Sequence, residues 1–421
     1  MAHGLDFLAS PMRRRLLFGV LYFSEGAPIG FLWLALPTQL RSAGVPLEEI
    51  TWLTAVLVLP WTFKFLWAPL IDVLQAPRWR LKHWIVACQW LMALCLLPLL
   101  WIDPVENFRV IAGFLLAHAF FAASQDVAID ALCIAETRPE ERGEYNGWMQ
   151  TGMLLGRALM GGGALVLAHS MGNQGVAGLL IGLLLACSFV VLITRQRSDF
   201  HPEGRLREVY AKVRVALVSH HTWLGMAFGL LGGAVYKALE VVYGPMLIDR
   251  GYLKSEIGWF SAFPMIGSMI AGTLVGGVLA DRLHRVQAVA TAMLFLVGGV
   301  VTLALLDQVF DHQRGLHLLG CLVMVAFGIG FFTSASYALF MDLTDPRIGA
   351  TQFSAYMGAT NGCESWSVYA IGLLVPALGY GGGFLVMAGV STAALGLLWA
   401  LWRRLPKPEV EPSEFRLEED S

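Results

Sequence analysis

Apolar stretches recur along the whole chain, each close to the ~20 residues an α-helix needs to cross a bilayer, with short polar segments between them. The pattern predicts about twelve spans, at 16–38, 49–71, 83–102, 109–131, 146–168, 174–194, 222–247, 255–279, 287–306, 315–340, 350–376 and 381–402. Some spans hold residues that such segments should exclude. The stretch "FFAASQDVAIDALCIAE", Phe120 to Glu136, places Gln125, Asp126 and Asp130 inside the fourth.

Composition agrees with an all-α polytopic membrane protein. Of the 421 residues 57% are hydrophobic and 14% charged, against about a quarter charged in a soluble domain. The basic residues fall chiefly in the N-terminus, the even-numbered connections and the C-terminus, which puts both ends in the cytoplasm. Arg13, Arg14 and Arg15 precede the first span and no small-residue cleavage site follows it, so it is expected to be retained. The net charge of −2 gives no sign of a nucleic-acid partner. Cys88, Cys95, Cys133, Cys187, Cys321 and Cys363 lie within predicted spans without a CxxC pair, so no disulfide framework, metal site or cofactor is expected. The GxxxxGK[ST], HExxH and GxSxG patterns are absent, which argues against ATP hydrolysis and against an intramembrane enzyme.

The longest connection, 195–221, separates six spans from six. It divides the chain into an N-terminal bundle (1–194), a cytoplasmic linker (195–221), a C-terminal bundle (222–404) and an acidic tail (405–421). Within the linker Leu206, Val209, Tyr210, Val213 and Leu217 recur at helical spacing opposite Arg205, Arg207, Lys212 and Arg214. That reads as an amphipathic helix on the membrane surface, or as a solvated linker. Matching features recur in the two bundles: Asp72 and Asp281 each close a span, Arg142 with Gly143 and Arg347 with Gly349 each open one, and Asp130 has a counterpart in Asp342. Weak internal symmetry of this kind is the trace of a carrier built from two related bundles.

A charge deep in a span costs about 3 kcal/mol on insertion scales, so it usually faces an interior cavity. The deep set is Glu25, Lys64, Asp126, Asp130, Arg157, Lys237, Glu240 and Glu364. Glu25 lies in "SEGAPIG", where Gly26, Pro28 and Gly30 predict a kink or unwound turn. Lys237 and Glu240 are three apart on one helix face and can pair along it, or can serve solute and proton separately. Asp126 and Asp130 are four apart on one face, and two carboxylates so close in a low dielectric repel when both are ionised. Arg157 and Glu364 occupy corresponding depths and suit a salt bridge between halves. His118 reads as a packing residue, and the glycines of "GMLLGRALMGGG" as sites of close helix approach. Trp33, Trp61, Phe63, Trp67 and Tyr236 could wall a ligand or anchor the interface.

Several motifs carry a family resemblance. "GVLADRLHR" resembles the loop signature between spans eight and nine of the major facilitator superfamily (MFS), and "WAPLID" followed by Arg78, Arg80 and Lys82 resembles its degenerate twin after span two. The segments "FKFLWAPLID", "ASQDVAIDA", "EERGEYNG", "YKALE" and "ATQFSAYMGATNG" together resemble the AmpG-type muropeptide permeases and their acetyl-coenzyme A and siderophore transporting relatives. The resemblance implies the MFS fold, two pseudo-symmetric six-helix bundles, and a proton-driven carrier whose cavity is lined by spans one, four, seven and ten. It also implies that Gln125 and Asp126 match a functionally critical Gln-Asp pair, and that Tyr236, Lys237 and Glu240 match a Tyr-Lys and a downstream acid that is typically Asp. The chain departs from the pattern in lacking the extra helices of many muropeptide permeases and in placing Glu25 where an uncharged residue is common.

The expectation is therefore a monomeric MFS permease of the bacterial inner membrane that imports an anionic, amphipathic solute with protons by alternating access. Muropeptide is the first choice, and siderophores and coenzyme A esters are the rivals. Lys64, Arg157 and Lys237 would meet solute carboxylates, and Glu25, Asp126 or Glu240 would take up the proton, with Gln125, Asp130, Tyr236 and Glu364 in the same pathway. Asp72, Asp281, Arg282 and Arg285 would form the cytoplasmic gate. A non-transporting assembly factor on the same fold is the alternative from another class, and it would have little need for paired charges at mid-membrane.

Overall fold

The computed structural model describes residues 7–8, 10–74, 79–138, 141–194, 220–309, 314–344 and 349–404. Ten helical segments in it are long and apolar enough to cross a membrane. The first four are α1 (Pro11–Ser42), α2 (Leu47–Leu66), α3 (Leu81–Leu100) and α4 (Phe108–Glu136). The fifth, Gly147–Ile193, has 47 residues, about twice what one crossing needs. Gly172, at φ 72°, breaks it into α5 (147–171) and α6 (173–193). Next come α7 (Thr222–Asp249), α8 (Lys254–Ala280), α9 (Arg285–Val309) and α10 (Leu316–Asp342). The last segment, Gln352–Arg403, is broken in the same way by Gly379, at φ 69°, into α11 (352–378) and α12 (380–403). Only glycine adopts this left-handed turn without a Cβ penalty, so two glycines turn ten segments into twelve crossings.

The protein is thus a multi-pass membrane protein of two six-helix bundles, α1–α6 and α7–α12. One large apolar core runs through both, from Leu32, Ile50 and Leu115 to Leu296, Val325 and Phe384. A second, smaller core of Leu17, Phe18, Ile129, Leu132, Tyr145 and Met149 lies where α1 begins and α4 ends. That end of the molecule is the proximal face, and the opposite end the distal face. Large apolar side chains such as Leu94, Phe189, Leu274 and Val278 are exposed on the perimeter, which suits a surface solvated by lipid rather than water. The expected linker with its amphipathic helix (195–221) and the acidic tail (405–421) lie outside the described residues, apart from positions 220 and 221, which open the helix that continues into α7.

Glycines bring the backbones together, as their clustering predicts. A Cβ on Gly26 would lie 2.2 Å from the Met153 carbonyl oxygen, and one on Gly30 would lie 2.6 Å from that of Arg157. On α5, Gly152 meets the Gly19 carbonyl at 2.0 Å and Gly156 the Ala27 nitrogen at 2.6 Å by the same construction. The α1–α5 pair therefore has no room for any side chain along this seam. In the other bundle Gly272 and Gly276 of α8 sit against the carbonyls of Phe327 and Phe331 on α10.

The kink expected around Glu25 falls elsewhere. α1 stays α-helical through Pro28 and widens into a π-turn only at Phe31–Ala35. Similar wide turns occur at Ala158–Gly163 in α5 and Ser261–Met265 in α8. Pi-turns leave a backbone group out of register and recur at functional sites, and these three converge at the middle of the molecule.

Candidate functional site

The deep charges gather in two clusters along the seam between the bundles. In the first, Lys64 of α2 forms an ion pair with Asp126 of α4. Tyr22 of α1 donates to Asp130 at 2.7 Å. Ser24 of α1 accepts from both Gln125, at 2.9 Å, and Gln89 of α3, at 3.0 Å, while donating to the Leu21 carbonyl. Gln125 is therefore fully buried and held in place, tying α4 and α3 to α1. Asp126 and Asp130 do not share a site as a bare repelling pair: each has its own partner. Glu25 is 5% exposed, and one of its carboxylate oxygens is buried with no hydrogen-bond partner.

The second cluster corrects two pairings that sequence spacing favours. Lys237 pairs with Glu364 of α11, not with Glu240. Arg157 of α5 pairs with Glu240 at 3.4 Å, not with Glu364. The physical reason is helix rotation. Lys237 turns toward α11 inside its own bundle, with Tyr236 buried beside it, while Glu240, one turn on, faces the other bundle. Trp33 of α1 donates its indole N–H to Glu364, so the two bundles are bridged at mid-depth by Trp33–Glu364 and by Arg157–Glu240. Between these bridges lies a cavity of about 60 Å³ lined by Trp33, Arg157, Gly162, Glu240, Tyr243 and Ser261. That is room for a few waters. Of the other aromatics, Trp61 packs edge-on to Trp33 with centroids 6.0 Å apart, and Trp67 donates to Ser124 at 3.1 Å. Phe63 points outward, 45% exposed. His118 is fully buried and bonded to the Met92 carbonyl at 3.0 Å, as a packing residue should be.

Close contact between the bundles concentrates toward the distal face. Gly162 of α5 and Gly258 of α8 cross backbone to backbone. Ser365 of α11 donates to the Ala55 carbonyl of α2 at 2.8 Å, and Gly372 sits on Thr51 nearer the same face. At the distal rim Arg41, ending α1, makes a two-point ion pair at 2.8 Å with Asp249, ending α7. Tyr380 adds a 2.7 Å hydrogen bond to Asp249. Neighbouring Arg250 clamps Asp307 of α9 through bonds of 2.8 and 2.6 Å. Sequence reasoning missed this distal tie. Its one available signal was that Arg41 and Asp249 occupy matching span ends in the two halves with opposite charges.

Of the expected gate residues, the side chains of Asp72 and Asp281 lie outside what the structure describes, and Arg282 is exposed. Arg285 pairs with Asp342 at 2.7 Å within the second bundle on the proximal face. Arg15 and Glu144 pair at 2.9 Å within the first.

Arg41 and Asp249 are each about a quarter exposed, and partly solvated pairs contribute roughly 0.2–1 kcal/mol. Arg41→Ala should therefore change the initial transport rate no more than about fivefold, mainly by easing distal opening, seen as faster labelling of a cysteine placed at Gln39. Complete loss of transport would show that Arg41 handles solute rather than latching the rim.

Two helical bundles facing each other across a buried, charge-lined seam define a solute carrier of the two-bundle kind. Residues 18–365 match the Major Facilitator Superfamily, and a second match covers 241–419. The chain belongs to that family. It is 27% identical over 386 residues to the anhydromuropeptide permease of Escherichia coli (strain K12), covering 85% of this chain and 77% of the relative. It is 24% identical over 411 residues to putative transporter AmpG 4 of Rickettsia conorii, covering 91% and 95%. Among solved structures it resembles a bacterial homologue of the human lysosomal transporter Spinster in an inward-facing, unoccupied conformation, at 14% identity and TM-score 0.76 over 94% of this chain and 98% of that one. The nucleoside transporter NupG aligns at 13% identity and TM-score 0.65 over 92% and 99%. The chain is a permease of small-molecule solutes and not an enzyme.

Proposed function

We propose that this carrier imports muropeptide across the bacterial inner membrane together with protons, with both termini in the cytoplasm. The observation that supports this most is the seam itself. Three cations, Lys64, Arg157 and Lys237, and five acids line it, and each cation is held by an acid that a carboxylate-bearing solute could replace. A sugar–peptide with free carboxylates offers that chemistry, and the likeness to an anhydromuropeptide permease gives it a source. The basic N-terminal segment and connections put the proximal face in the cytoplasm. On that orientation the tied distal rim is the periplasmic gate, closed, and the conformation is inward-facing or occluded. Asp72, Asp281, Arg282 and Arg285 belong to the gate on the cytoplasmic side. The bundle boundaries are those of 1–194 and 222–404, and the carrier works as a monomer.

The test is uptake of labelled anhydromuropeptide by proteoliposomes holding the purified chain, with and without an imposed pH gradient. Accumulation that follows the gradient and is competed by unlabelled muropeptide is expected. Uptake of a ferric siderophore or a coenzyme A ester in its place would move the substrate assignment. Failure of every solute to move would favour an assembly role.

A further inference from the structure

The two charge clusters do not balance alike. Around Lys237 two cations, Lys237 and Arg157, meet two acids, Glu364 and Glu240, and each cation has its own acid. Around Lys64 one cation faces three carboxylates: Asp126, Asp130 and Glu25. Asp126 takes the cation and Asp130 takes the Tyr22 hydroxyl. Glu25 has neither. Its electrostatic neighbours are Asp126 and Asp130 from α4 and Lys64 from α2, with Trp61 of α2 close by. From α3, Gln89 spends its amide N–H on Ser24. α5 packs against Glu25's helix by backbone at Met153 and Gly156, and its nearby cation, Arg157, is committed to Glu240. Among the described residues, the result is a buried carboxylate with one empty oxygen, two like-charged neighbours and no cation of its own.

A buried charge in that position costs far more than a neutral acid, and a proton on the empty oxygen removes the excess without disturbing any bond seen here. We infer that Glu25 is the proton seat of this carrier, binding and releasing the coupling proton, while Asp126 is the acid that holds Lys64 until solute takes its place. The inference rests on the proton-coupled reading above and names the acid within it. Asp130, one turn nearer the proximal face and partly exposed, stands between Glu25 and that face and hands the proton on. Solute binding is linked to this step by sign. An anionic solute arriving at Lys64 adds negative charge beside Glu25, so a protonated Glu25 favours solute, and loss of the proton expels it.

Glu25→Gln keeps size and hydrogen bonding and removes the titration. In proteoliposomes it should lose accumulation driven by a pH gradient while keeping solute exchange between equal pools. Its solute affinity should be flat with pH, where wild-type affinity tightens as pH falls. Accumulation equal to wild type, or an unchanged pH profile, overturns the inference. Loss of exchange as well overturns it unless Glu25→Asp, which restores a titratable group, recovers accumulation and exchange together. One readout needs no solute: infrared spectra in nanodiscs should show a protonated carboxyl C=O band in wild type that is absent from Glu25→Gln. A band that persists in the variant overturns the inference. Wild-type protein that moves solute with no response to the gradient sinks the proton-coupled reading instead, and the infrared result then still decides whether Glu25 carries a proton.

Discussion

Lys237→Ala should lower the stability of the carrier by about 3–5 kcal/mol, the cost of leaving one member of a buried ion pair without its partner. Glu364 keeps the Trp33 indole as a donor in that variant, which sets the loss toward the low end. Glu364→Ala removes the partner of Lys237 and strands the Trp33 N–H as well, so it should cost more. Removing both charges leaves no unpaired ion. A Lys237→Ala, Glu364→Ala double variant should therefore be more stable than the sum of the single losses predicts, by about 1–3 kcal/mol of coupling. Lys237→Ala combined with Glu240→Ala should be close to additive, because Glu240 is paired with Arg157. Thermal unfolding in one fixed detergent or nanodisc measures all six proteins, the Glu240→Ala single included. Stronger coupling to Glu240 than to Glu364 would restore the pairing that helix spacing alone suggests and would remove Glu364 from the site.

That contrast shows what the sequence made legible. The eight deep charges could be found one by one, since each is an exception inside an apolar run and exceptions need no knowledge of the fold. Their partners could not. Spacing of three or four residues reports neighbours on one helix, so Lys237 with Glu240 was the pairing visible in one dimension, whereas the rotation of α7 that sends one residue to α11 and the other to α5 is decided by packing. Span ends were similarly half visible. The predicted end of the fourth span falls at 131, but α4 continues to Glu136, so Asp130 lies within the helix and bonds Tyr22 instead of sitting at the rim. The distal tie escaped because Arg41 reads as an ordinary interface arginine until Asp249 is brought opposite. The π-turns left no shared pattern, since FLWLA, ALMGGG and SAFPM have little in common.

Gly162→Val should cut net transport by about 10–100-fold, through the distal crossing and not through the charges. A Cβ on Gly162 would lie 2.4 Å from the Gly258 carbonyl oxygen and 2.7 Å from the Ala262 nitrogen. Both are backbone atoms of α8, so no rotamer change relieves the clash and the two helices must separate. Gly258 meets the Gly162 carbonyl at 2.5 Å in return, and the crossing is therefore tight in both directions. It closes the distal half of the seam, inside the wide turn of α5 and at the edge of that of α8. Overpacking costs about 1–3 kcal/mol, and because only the distally closed state suffers it, the whole cost appears as a shift of population toward the distally open state, roughly tenfold per 1.4 kcal/mol. Solute binding from the distal side should survive, while delivery to the proximal side falls. Cross-linking of Arg41→Cys to Asp249→Cys by a bifunctional thiol reagent about as long as the replaced ion pair should be slower once Gly162→Val is added. Gly267→Val, on the same helix α8 with no atom near its would-be Cβ, is the control and should transport and cross-link like the parent. If the Gly162 variant matches that control in both assays, the α5–α8 crossing is not the element that closes the distal side, and the weight of closure passes to α2 against α11 at Thr51 and Gly372.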